Sequence, residues 1–100
     1  MRPVLPGDVA AAGCALLHAK TAARAGLMRR MLAEAEAADS YRRKTGCAHP
    51  VWGNGSLMAV AMARPRAREP FLDDPEYCAC MALVFDALLA RSNTAARRIF

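Results

Sequence analysis

The sequence predicts an all-α fold, a small bundle of three longer helices and one short helix, with a Trp-containing loop between the second and third. Three observations lead there. Alanine supplies 23 of the 100 residues, and 55% of the chain is hydrophobic. Larger apolar residues recur at i, i+3, i+4 and i+7 over long stretches. Every proline falls outside the interior of such a stretch.

The first helix is expected over 9–20, with Asp8 as its N-cap because a carboxylate accepts from the free amides of a first turn. Val9, Gly13, Leu16, Leu17 and Lys20 share one stripe. Gly13 weakens this helix by about 1 kcal/mol relative to Ala. It is either a tolerated weak position or a place where a second helix comes close. The second and longest helix is expected over 22–45, capped by Thr21. Its buried stripe is Leu27, Met28, Met31, Leu32, Ala35, Ala38 and Tyr41, while Arg24, Arg29, Arg30, Glu34, Glu36 and Asp39 occupy the remainder. Asp39 precedes Arg43 by four residues, a favourable order for an ion pair. Arg42, Arg43 and Lys44 meet the negative end of the helix, and Gly46 supplies a left-handed stop.

The segment 47–55 (CAHPVWGNG) breaks the pattern. His49-Pro50 is extended by the pre-proline restriction, and Gly53-Asn54-Gly55 favours a tight turn. Ser56 caps a short third helix over 57–63. An Arg-rich linker, 64–70, follows. Asp74 and Pro75 open the fourth helix as cap and first residue, with Tyr77, Met81, Val84 and Leu88 on one face and Cys80, Leu83, Phe85 and Leu89 on most of the rest. A helix apolar nearly all round is either central in a core or covered by another chain. With two substantial helices and a short one to cover it, an additional partner is expected. The second and fourth helices are expected at the centre of a single domain, 1–92, with 93–100 as a tail.

Fourteen basic residues, twelve of them Arg, face nine acidic ones, for a net charge of +5. That balance weakly favours anionic partners without defining one. The apolar stretch before Cys14 is interrupted by Asp8 and Pro6-Gly7, so neither a lipoprotein leader nor a membrane span is expected. The four cysteines, Cys14, Cys47, Cys78 and Cys80, are read as free thiols buried as small hydrophobes. Together with His18 and His49 they offer six soft metal ligands, but no short-spaced Cys pair with a free loop organises them. Cys47 or Ser56 beside His49 lacks an evident orienting acid for nucleophilic catalysis. Gly53-Asn54-Gly55 lacks the lysine and preceding strand of a phosphate loop. No catalytic residue, metal, cofactor or small-molecule substrate is therefore expected.

The stretch 38–58 (ADSYRRKTGCAHPVWGNGSLM), together with 69–77 (EPFLDDPEY), resembles a small uncharacterised family of alphaproteobacterial proteins. That resemblance carries no activity and implies only a bacterial cytoplasmic setting. The functional expectation is a non-catalytic adaptor or small regulatory subunit that binds a protein partner or its own copies. Its expected contact residues are Trp52, Tyr77, Met81, Val84, Phe85 and Leu88. The alternative is a nucleic-acid-binding regulator using Arg42, Arg43, Lys44, Arg64, Arg66 and Arg68 as one basic edge. The ten-residue connection before the third helix is too long for a compact helix-turn-helix.

Overall fold

A computed structural model describes the backbone of residues 1–99 and the side chains of residues 1–92. Four α-helices follow in order: α1 (Pro6–His18), α2 (Arg24–Thr45), α3 (Leu57–Met62) and α4 (Pro75–Ile99), with a 3₁₀ turn (Thr21–Ala23) before α2. There is no β-strand among the described residues, and the all-α bundle of three longer helices and one short one is the architecture observed.

Helix α1 starts a turn before the expected position. Pro6 sits in its first turn, where the missing N–H leaves no bond unmade and its fixed φ suits a helix. Asp8 is thus the third residue rather than the N-cap, and it is buried. Its Oδ2 accepts from Leu5 N–H at 2.8 Å, while its Oδ1 accepts from Met58 N–H, also at 2.8 Å. One carboxylate therefore satisfies donors at the starts of both α1 and α3. Thr21 likewise does not cap α2 but opens the 3₁₀ turn.

Arg24 departs most from its expected place. Periodicity puts it on the solvent side of α2, yet it is buried. Its Nε donates to Leu16 O at 2.8 Å and to Ala19 O at 3.2 Å, and its Nη2 donates to Leu17 O at 3.2 Å. The last carbonyls of a helix lack intrahelical partners and carry partial negative charge, so a cation stapled across them is held twice over. Nη2 also reaches Glu76 at 2.7 Å, joining the end of α1 to the start of α4.

Met28, Met31, Ala35 and Ala38 are buried along α2, Leu27 and Leu32 are half-buried, and Tyr41 stays exposed. Gly46 ends α2 with φ of 76° and its N–H on Arg42 O. Ser56 Oγ accepts from Ala59 N–H, and Asp74 Oδ1 from Tyr77 N–H, so both expected caps form. Helix α4 runs to Ile99, into the stretch 93–100 expected as a tail, because no proline or glycine follows Pro75 to stop it.

The centre of the bundle is α1, rather than the α2–α4 pair expected. Its largest interfaces are with α4 and α3. Small residues make this possible: a Cβ added at Gly13 would lie 2.6 Å from Met81 Sδ and 3.2 Å from Tyr77 Cε1. Gly13 is therefore a close-approach position. Leu16, Met28, Met31, Leu57, Val60 and Val84 fill the space around it.

Two left-handed glycines should respond differently to the same substitution. Gly46 (φ 76°) has nothing within 4 Å of an added Cβ, whereas at Gly55 (φ 92°) that atom would lie 2.7 Å from Asp39 Cα. Gly46→Ala is expected to cost about 1 kcal/mol through left-handed strain. Gly55→Ala should cost at least about 2 kcal/mol more, since backbone cannot move aside as a side-chain tip can. Urea unfolding of the two variants checks this.

Candidate functional site

Helix α4 meets the bundle with one side only. Tyr77, Cys80 and Val84 are buried, and Met81, Leu83, Ala87 and Leu88 are half-buried against the core. On the opposite side Cys78, Ala82, Phe85 and Leu89 follow at spacings of four, three and four residues, and all four are exposed. Phe85 is 53% and Leu89 62% exposed. This is the consequence of a helix apolar nearly all round packed on a thin bundle.

Beside that side runs an apolar groove of about 420 Å³. Val4, Leu5, Pro6 and Val9 form one wall, and Met81, Phe85 and Leu88 form the other. Leu5 is 64% exposed at its rim. The first wall was not recognisable as part of a site in the sequence, where 1–8 reads as a Pro-rich lead-in to a helix. The only available signal was the pair Val4-Leu5, apolar in a segment otherwise suited to solvent.

Of the expected contact residues, Met81, Phe85 and Leu88 come together in the groove. Tyr77 and Val84 turn into the core at 2% and 0% exposure, so they support the surface from behind. Trp52 lies apart, stacked on His49 in the 47–55 loop and half-buried against the core.

The soft ligands do not gather. Cys14 and Cys80 are buried, Cys47 and Cys78 are exposed, and among the described residues no three His, Cys, Asp or Glu side chains are placed to hold a metal ion. Burial pushes the thiols of Cys14 and Cys80 up from their ordinary value. It also pushes the Tyr77 hydroxyl up to about 12, with the neighbouring Cys14 adding to the shift. Ser56 is occupied in capping α3. A maleimide should therefore label two thiols of the native chain, Cys47 and Cys78, and all four only after denaturation; mass spectrometry reads the count.

The six cations of the expected basic edge are divided. Arg42 donates to Asp39 at 2.7 Å, and Arg43 lies 3.4 Å from the same carboxylate and 4.0 Å from Glu36. Arg64 is paired with Glu34 on the middle of α2 and donates from Nε to Val60 O. Lys44, Arg66 and Arg68 are exposed.

Asp39 and Glu36 also hold the α-amine of Met1, at 3.1 Å and 2.6 Å, and Arg91 of α4 pairs with Glu36. The bond from Arg42, then that from the amine, draws the Asp39 carboxyl down from 3.8 to about 2. The amine and Arg91 draw Glu36 down as well. A carboxylate lowered on folding stabilises fully above its unfolded pKa, and that contribution disappears as pH falls through the folded one. The urea midpoint should therefore drop between about pH 4 and pH 2, and Asp39→Asn should lessen that drop.

The arrangement is that of a small helical-bundle domain with an exposed apolar surface along α4. The chain matches the model of a domain of unknown function, DUF7742, over residues 2–88, and it belongs to that family. No curated protein and no solved structure matches it. No helix among the described residues is long and apolar enough to cross a membrane.

Proposed function

We propose that the chain is a non-catalytic interaction module, an adaptor or small regulatory subunit of a bacterial cytoplasm, which receives an apolar segment of a protein partner along the outer side of α4. The observation that carries this reading is the exposure of Phe85 and Leu89 beside a groove whose lining is apolar throughout. Large aromatic and aliphatic side chains set in a continuous apolar surface contribute strongly to protein association, because their burial releases water at little polar cost. Tyr77 and Val84 serve that surface by fixing α4 against α1.

The nucleic-acid alternative has weaker support. Arg42, Arg43 and Arg64 already face carboxylates, so phosphate contacts at those positions would compete with ion pairs inside the protein. Salt-dependent association with generic duplex DNA would favour it, and the absence of association at low ionic strength counts against it.

Phe85→Glu with Leu89→Glu puts charge on the exposed side while leaving buried residues untouched, so helicity and Tm should change little. The expected outcome is that wild type self-associates in sedimentation equilibrium or captures a defined partner from its native cell, and that the double variant does neither. A wild-type chain that stays monomeric at high concentration and captures nothing overturns the reading.

A further inference from the structure

The 47–55 loop closes around one imidazole. His49 N–H donates to Gly53 O at 2.7 Å, and Gly53 N–H returns to His49 O at 3.0 Å. Within this turn His49 Nδ1 accepts from two amides, Val51 N–H and Trp52 N–H, each at 3.1 Å. A ring nitrogen accepts only while it lacks a proton, so this arrangement requires neutral His49 with its proton on Nε2. The same ring stacks on Trp52, with centroids 4.7 Å apart and planes at 12°. It also meets Tyr41 of α2 edge-on, at 5.0 Å and 71°. One side chain thus ties the loop backbone, the only Trp and the end of α2 together.

We propose that His49 is a protonation switch for this loop. Neutral, its Nδ1 holds the amides of Val51 and Trp52; protonated, that nitrogen becomes a donor facing two donors, and the turn around Trp52 is released. Tyr41 is the titratable side chain in ring contact with His49 from α2. In the following turn of α2, Arg42 and Arg43 face Asp39 and Glu36, while Lys44 is exposed. Among the described residues no carboxylate forms an ion pair with the imidazole. The closed turn therefore needs the unprotonated Nδ1, and a proton there removes both acceptances at once.

The test follows the full chain between about pH 8 and pH 5, where imidazoles ordinarily change charge. At the alkaline end, long-range proton–nitrogen NMR should show His49 with a bare Nδ1 and a protonated Nε2. On acidification the Val51 and Trp52 amide signals and the Trp52 emission should shift with the midpoint of the ring, while far-UV helicity stays constant. His49→Asn keeps a side-chain acceptor for the amide two residues on but does not titrate, so its emission should be flat. His18→Asn should keep the wild-type response. The proposal is overturned by a neutral His49 protonated at Nδ1 or by amides that stay still while the ring titrates. A His49→Asn chain with the wild-type transition, or helicity lost at the same midpoint, overturns it equally.

Discussion

The close approach of α1 to α4 at Gly13 determines how the rest of the bundle is arranged. The side chains of Met81 and Tyr77 lie where a β-carbon at Gly13 would project, so α4 seats them directly over the α1 backbone at that point. The core is narrow, and α3 packs chiefly on α1, whereas α2 is shared among α1, α3 and α4. A helix held along one narrow strip keeps its far side uncovered, which is why Phe85 and Leu89 remain exposed. The apolar surface of α4 is thus a product of the packing geometry as much as of its composition.

A narrow core puts more weight on polar anchoring, and here that anchoring falls on helix ends. Asp8 serves the starts of α1 and α3, Arg24 the end of α1 and the start of α4, and Asp39 gathers Arg42, Arg43 and the α-amine near the end of α2. Each is a buried charge held by hydrogen bonds or ion pairs, the condition under which burial of a charge is tolerated. Removing Asp8 or Arg24 leaves unpaired donors or carbonyls at two helices at once. Bonds of this kind fix angles and register, whereas apolar contact permits sliding, so these two residues define how the helices meet even where hydrophobic burial supplies most of the stability.

These anchors also mark the limit of what could be read beforehand. Helix existence, the Ser56 and Asp74 caps and the Gly46 stop were legible because each depends on neighbours within four residues. Arg24 and Asp8 were misplaced because each has one partner 52 or 50 residues away in sequence, and Arg24 folds back on the carbonyls that end α1, whereas local periodicity assigns a charged residue to solvent by default. The central position of α1 was hidden for a related reason, since Ala and Gly look weak by apolar volume while offering the closest packing. At the site, helical spacing grouped Tyr77, Met81, Val84 and Leu88 on one face and left Phe85 on another, because a helix apolar on every side gives no phase to separate inner from outer faces. The wall of Val4, Leu5, Pro6 and Val9 needed the tertiary fold.

The two apolar features of the surface differ in what already satisfies them. Trp52 has a partner in its own chain: its ring is stacked on His49 and packs against the core, so exposing it requires breaking contacts that are present. Phe85 and Leu89 are exposed and stack on no ring among the described residues, so covering them breaks no such contact. Both walls of the neighbouring groove lie within the residues matched by the family, 2–88, with Val4 near its beginning and Leu88 at its end. The groove therefore belongs to the shared domain itself, formed by the segment leading into α1 and by the part of α4 that packs on it. The rest of α4, from Leu89 to Ile99, extends beyond the match. The groove lining thus falls inside the matched residues, while exposed Leu89 lies one residue past them.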